Sequence, residues 1–108
     1  MNELVLRLQR EAERIASKHP PPEFYVRFKA PLALARKLLF TCPVLVKLRK
    51  IVEPILREDM GHGLFHSTRV SIDTATLIYV ELESDHLIQV KRERLMQLGL
   101  ICGLLHDI

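Results

Sequence analysis

The strongest constraint on the fold of this chain is the spacing of its apolar residues, which follows the helical repeat along most of the sequence. Near the N-terminus the apolar positions recur at intervals of four, four and three, at Leu4, Leu8, Ala12 and Ile15. This spacing predicts an amphipathic helix over about residues 2–18. Three consecutive prolines then end the helix, because none has the N–H group that would continue the hydrogen-bond ladder.

The same periodicity predicts four further helices. They cover about residues 31–40, 41–55, 64–81 and a last stretch that runs to residue 108. The one segment with strand-like composition is 23–29, and without a second strand to pair with it is expected to be an extended or helical-turn connector. The sequence therefore predicts an all-α fold, a bundle of about five helices.

The helix over 41–55 carries the most specific local predictions. Thr41 is expected to be its N-cap, and Pro54 is expected to kink it, because proline removes one donor and crowds the preceding turn. Its predicted buried stripe consists of Val44, Leu48, Ile51 and Ile55.

Composition limits the compartment and the partners. With 108 residues, 48% of them hydrophobic, the chain can form a core without disulfides, so Cys42 and Cys102 are interpreted as buried free thiols in a reducing compartment. The longest uncharged apolar run, Leu95 to Leu105, is too short to span a bilayer, and the N-terminus lacks the apolar run of a signal peptide. We therefore expect a cytoplasmic protein with no membrane partner.

Charge divides the chain into two regions. Residues 1–57 hold 12 basic and 5 acidic side chains, whereas 58–108 hold 4 and 8. We expect a basic N-terminal helical region over 1–57 and a second region over 58–108, packed as one domain. A basic stripe on the first helix is interpreted as a solvated face rather than a site for phosphate, acidic lipid or a partner. The net charge of +3 is mild, which argues against a nucleic-acid partner.

The helix over 64–81 and the residues just before it carry an unusual polar line. His62, His66, Arg69 and Asp73 are spaced by four, three and four residues, so they share one narrow face. Apolar residues flank that face and small hydroxyl side chains lie opposite, so we expect the line to point inward. Burying such groups is costly unless each is paired or bound to a metal, which leaves two alternatives: a satisfied structural network or a functional site.

The last helix ends in a histidine and an aspartate. It is apolar nearly all round, which predicts a buried helix, and the small residues Gly99, Cys102 and Gly103 would let a neighbouring helix approach closely. His106 and Asp107 follow directly. An imidazole and a carboxylate at one helix end suit a divalent metal, with His66 reaching across from the facing helix.

These two motifs resemble the HD superfamily of metal-dependent phosphohydrolases. One is a helix with the pattern H-x3-H-x2-R-V, and the other, about forty residues on, is an apolar helix ending in L-L-H-D-I. The resemblance covers about residues 58–108. It implies a helical HD-type domain that hydrolyses a phosphate ester or anhydride, as in a nucleotide, with water activated by a divalent cation. The ligand types do not distinguish Mn, Fe, Mg, Zn and Ni.

The resemblance assigns roles to single residues. His66 corresponds to the first metal ligand, and His106 and Asp107 to the central pair, with Asp107 also counted as catalytic. His62 would orient the site or the substrate, Arg69 would pair structurally or contact phosphate, and Asp73 would orient Arg69 or His66 from outside the ligand set.

The sequence departs from the family pattern at its end. The family's last ligand is an aspartate downstream of the HD dipeptide, and this chain stops one residue after that dipeptide. We therefore expect a fragment, incomplete at the C-terminus, with weak metal binding and little or no turnover. Exposed apolar faces would then favour a homo-oligomer. The alternative is a non-catalytic helical regulatory or dimerisation module with a structural His/Asp network.

Overall fold

The computed structural model describes residues 2–56, 63–83 and 91–108, and these form six α-helices. They are α1 (Glu3–Ala16), α2 (Glu23–Arg27), α3 (Lys29–Thr41), α4 (Pro43–Val52), α5 (Leu64–Leu82) and α6 (Arg92–Leu105). The predicted all-α fold is confirmed. The extra helix is α2, a single turn in the segment that was expected to be a connector.

The core lies where α3 and α4 pack against α5 and α6. It contains Leu32, Ala35, Leu39, Leu45, Ile72, Ala75, Met96, Leu100 and Leu104. Four of these nine come from the N-terminal region and five from the rest of the chain, so one apolar cluster draws on both. Such a shared core fixes α5 and α6 relative to each other and to the helices that cover them.

The predictions for the fourth helix are largely wrong. Thr41 ends α3, where its hydroxyl donates to the Lys37 carbonyl over 2.6 Å, and Cys42 occupies the N-cap position of α4. The helix stops at Val52, before Pro54, so no kink arises. The shift of the N-cap from Thr41 to Cys42 arises because Pro43 is the first helical residue of α4, and proline suits that position.

The buried face of α4 also differs from the expected one. Leu45 and Val52 are buried, whereas three of the four predicted stripe residues are exposed: Val44, Ile51 and Ile55. Apolar residues occur on two faces of this helix, and the packing against α3 and α6 selects one of them. Periodicity alone does not choose between two apolar faces.

The orientation predicted for α5 is wrong as well. The buried residues are on the side of the small hydroxyls, Ser67, Ser71 and Thr76 together with Ile72 and Ala75, whereas Phe65 and Leu77 are exposed. The polar line is consequently at the edge of the helix contact and not in its centre. The physical reason is that small side chains let two helices approach closely, which the bulkier apolar face would prevent.

The small residues of α6 make that close approach possible. A Cβ atom on Gly103 would clash with the backbone of Ser71 and lie 2.6 Å from Ser71 Cβ, and one on Gly99 would lie 2.6 Å from Ile78 Cδ1. Both glycines are buried, as expected for a close contact. Cys102 is not part of it, because its side chain is exposed.

Both cysteines are free, as predicted, but Cys42 is half-buried and Cys102 exposed, so the expectation of two buried thiols is wrong.

The first helix, α1, contributes no residue to the buried core. No residue of Glu3–Ala16 is buried. Within the described ranges, no helix combines the length and the apolar character needed to cross a membrane.

Candidate metal centre

Three side chains from two helices meet at one end of the α5–α6 contact. His66 lies in the first turn of α5, His106 is the C-cap residue of α6, and Asp107 follows it. One ligand-type atom from each lies within 4.8 Å of the others. The structure therefore brings together the three residues that the sequence singled out as metal ligands.

The distances between these atoms match a shared cation. His66 Nε2 and His106 Nε2 are 3.3 Å apart, and Asp107 Oδ2 lies 3.5 Å from the former and 3.1 Å from the latter. Imidazole and carboxylate ligands bind divalent transition metals at about 2.0–2.2 Å, so two ligand atoms that subtend about 90–110° at the metal lie about 2.8–3.6 Å apart. The three observed distances fall within that range, so these residues fit a divalent cation.

The other ring nitrogen of His106 strengthens the case. Its Nδ1 lies 2.6 Å from the Gly103 carbonyl oxygen, and a carbonyl can only accept, so Nδ1 carries a proton. In the neutral ring, Nε2 then presents a lone pair toward the Asp107 carboxylate. Two acceptors at 3.1 Å repel unless a cation or a second proton lies between them. A backbone carbonyl that orients the outer nitrogen is also the usual arrangement of a metal-bound histidine.

The position at a helix end adds to the need for positive charge. The last carbonyls of α6 carry partial negative charge, which disfavours a carboxylate at Asp107. The side chain of Asp107 is 23% exposed, so solvent screens it only in part. A bound cation, or a second proton on the His106 ring, would offset the repulsion between the Asp107 carboxylate and the end of α6.

The packing of the helices determines the geometry of the cluster. Gly103 lets α6 contact Ser71 closely, and it also provides the carbonyl that orients His106. Since His106 and Asp107 are within four residues of Gly103, and His66 is within five of Ser71, an increase in helix separation would move His66 away from His106 and Asp107. The site is thus built on a helix contact that leaves no room for a side chain at Gly103.

Arg69 and Asp73 belong to a second cluster, one to two turns further along α5. The Tyr25 hydroxyl of α2 donates to Asp73 Oδ2 over 2.6 Å, and the Arg69 guanidinium carbon lies 5.5 Å from the centre of the Tyr25 ring. Hydrogen bonding to Tyr25 raises the pKa of Arg69 above its ordinary value, and the Asp73 carboxylate adds to the shift. The sequence left Arg69 between structural pairing and phosphate contact, and sequence reasoning missed Tyr25.

A cleft of about 660 Å³ opens beside this second cluster, between α3 and α5. Its lining includes Tyr25, Lys29 and Arg36 from the N-terminal region, and Phe65 and Arg69 from α5. Sequence reasoning assigned no role to Lys29 or Arg36. The one sequence feature that points to Lys29 and Arg36 is the excess of positive charge in residues 1–57. The interpretation of that charge as a solvated face considers only the basic stripe of the first helix.

The remaining predicted site residue is His62, which lies outside the described residues, as does the segment before α6. Comparison with protein-family models, curated proteins and solved structures gave no match to this chain.

Proposed function

We propose that His66, His106 and Asp107 hold a divalent metal ion in the active site of an HD-type phosphohydrolase. The observation that carries the proposal is the triangle of two Nε2 atoms and one carboxylate oxygen with sides of 3.1–3.5 Å. Three protein ligands leave coordination positions open, which is the arrangement typical of catalytic rather than structural metal sites.

The chemistry follows from the ligand types. A divalent cation held there would supply an activated water and polarise a phosphoryl oxygen. His66 and His106 would bind it through ring nitrogens, and Asp107 would contribute a negative charge that offsets part of the charge of the cation. Arg69, one helical turn from His66, supplies positive charge for a phosphate group, because residues three apart on a helix are neighbours. The substrate class is a phosphate ester or anhydride of a small molecule such as a nucleotide, and Cys42 and Cys102, both free, suit the reducing cytoplasm.

Cobalt substitution tests the proposal, because the visible spectrum of Co²⁺ reports its ligands. We expect wild-type protein to bind Co²⁺ weakly but specifically and to give a spectrum that Asp107→Asn weakens and His66→Ala abolishes. Inorganic phosphate should then change the spectrum of the wild-type complex, because it would enter an open coordination position. His19→Ala is the matched control, since His19 is an exposed histidine outside the cluster.

Two results would contradict the proposal in different ways. If Co²⁺ binds equally to wild type and to His66→Ala, the cluster is not the metal site. If Co²⁺ binds as expected but phosphate leaves its spectrum unchanged, the metal has no open position for substrate and its role is structural.

A second candidate function is a non-catalytic dimerisation or regulatory module, and the exposed apolar residues favour it. Leu4, Leu8 and Ile15 of α1 are exposed, and so are Leu77 and Leu98 beside the α5–α6 contact. Such surfaces find partners, which supports a homo-oligomer in either case.

In this second candidate function, a protonated His106 bonds to Asp107 without metal. The melting temperature of the protein should then be the same with and without a strong chelator, whereas a protein with a metal site loses stability when the chelator removes the metal.

A further inference from the structure

We infer that the outer face of the α5–α6 pair is the surface through which two copies of this chain associate. The face is a groove of about 580 Å³ between the two helices, and its lining includes Leu77, Ile78, Glu81 and Leu82 of α5 and Leu95 and Leu98 of α6. The inference goes beyond both candidate functions, which expect a homo-oligomer without saying which surfaces meet. No candidate metal ligand lines this groove.

Exposed leucines on both helices make this face apolar. Leu98 and Leu105 of α6 are exposed, and they are seven residues apart, so they lie on the same side of the helix. Leu77 is exposed across the groove on α5. Among the described lining residues Glu81 is the one that carries a charge. A continuous apolar face of this kind marks an interaction surface, because leaving it in water is unfavourable.

The two helices that form the groove run antiparallel. The Gly103 position adjoins Ser71, near the beginning of α5 and the end of α6. The Arg92 guanidinium carbon lies 3.9 Å from the centre of the Tyr79 ring, near the end of α5 and the beginning of α6. The last turn of α5 is therefore level with the first turn of α6.

Charged side chains border the groove at that end, an acid on one helix and a base on the other. Glu81 is exposed in the last turn of α5, and Arg94 is exposed in the first turn of α6, four residues before Leu98. Within the part of the chain that the structure describes, neither Glu81 nor Arg94 forms a salt bridge. Both charges are thus available to a partner.

This arrangement makes the face complementary to a second copy of itself. A two-fold axis that runs along the groove places α5 of one copy against α6 of the other at the same height. Glu81 of each copy then lies opposite Arg94 of the other, and the leucines of the two faces cover one another. The result is an apolar contact bordered by ion pairs, which is the usual composition of a protein interface.

The size of the groove sets the expected strength of the association. The groove extends along α5 from Thr74 to Leu82, which is about 12 Å by the helical rise. A contact of that length belongs to the smaller class of protein interfaces, so we expect a dimer with a dissociation constant in the micromolar range.

Sedimentation equilibrium over a wide range of protein concentration tests the inference. We expect wild type to dimerise and Leu98→Glu to raise the dissociation constant at least about thirtyfold, because each copy would bury a charge that has no partner. Leu8→Glu is the matched control, because it places the same charge on a leucine of similar exposure, 62% against 55%, on α1. It should change the dissociation constant by less than about twofold.

Charge reversal tests the relative orientation of the two copies. Glu81→Arg and Arg94→Glu each place like charges opposite one another, so each should weaken the dimer about tenfold. The two substitutions combined restore opposite charges and should return the dissociation constant to within about threefold of wild type. Both positions are exposed, and circular dichroism checks that each variant is folded.

Three results would overturn the inference. They are a wild type that stays monomeric at every concentration, a Leu8→Glu variant that dimerises as weakly as Leu98→Glu, and a double charge reversal that dimerises as weakly as the single ones. All measurements are made with EDTA present, so a failed Co²⁺ titration would leave their outcome unaffected.

Discussion

The first and last helices of the chain contrast in what their sequences indicate and in what they bury. α1 has the clearest separation of apolar and charged faces, yet none of its residues is buried. α6 has little such separation, yet Met96, Gly99, Leu100, Gly103 and Leu104 are all buried. Amphipathic spacing thus predicts that a helix forms, but the helix surface and its neighbours determine whether it joins the core.

The contrast extends to function. The three candidate metal ligands that the structure brings together lie on α5 and at the end of α6, where small side chains allow close contact. α1 contributes none of them, and its charged groups pair locally, as Arg14 does with Glu11. The comparison predicts that substitutions in α6 affect stability and metal binding together, whereas those in α1 affect neither.

Leu100→Ala should have the largest effect on stability. Leu100 is 0% exposed in the core, so truncation leaves a cavity and should lower the free energy of unfolding by about 2–5 kcal/mol. Leu8→Ala, at a 62% exposed position of α1, should change it by less than about 0.5 kcal/mol. Urea denaturation followed by circular dichroism measures both. Equal losses would mean that α1 is packed in solution.

Gly103→Ala should come next and should also perturb the candidate metal centre. Its Cβ would meet the Ser71 backbone, which cannot move away, so we expect a loss of about 1–3 kcal/mol in unfolding free energy and weaker metal binding. Gly99→Ala is the control, because its Cβ would meet the end of the Ile78 side chain, which can rotate. If Gly103→Ala is as stable as Gly99→Ala, the two helices are further apart than described.

Tyr25→Phe should have a smaller effect. It keeps the ring beside Arg69 but removes the hydroxyl that donates to Asp73, so we expect a loss of about 1 kcal/mol in unfolding free energy. Tyr79→Phe is the matched control, because the Tyr79 ring contacts Arg92 and needs no hydroxyl for that contact. A thermal melt of both variants checks this. Identical melting temperatures would place Tyr25 outside the structural network.

Glu11→Gln should have the smallest effect. The Arg14 guanidinium lowers the pKa of Glu11, so any stabilisation from this pair is present above the ordinary pKa of the carboxyl group and is lost as the pH falls through its lowered value. Both side chains are 54% exposed, so solvent screens the pair. We expect Glu11→Gln to have the same melting temperature as wild type when the two proteins are compared at pH 7, and again when they are compared at pH 3. A deficit at pH 7 alone would show that this pair stabilises the fold.

The sequence predicted the helices and the meeting of His66 with His106 and Asp107, because both depend on helical spacing and on a motif read along the chain. It did not predict which face of α4 or α5 is buried, because that choice depends on all the neighbouring helices together. Tyr25 was missed for a related reason: its partner Asp73 is 48 residues away, and no local pattern links them.

The most direct test of the account is the metal content of the purified protein, measured by elemental analysis beside His66→Ala and the control His19→Ala after the same exposure to divalent transition metals. The account predicts bound metal, up to one ion per chain, in wild type and in His19→Ala, and a large loss in His66→Ala. Equal metal content in all three proteins, or none in wild type, would contradict a metal centre at His66, His106 and Asp107.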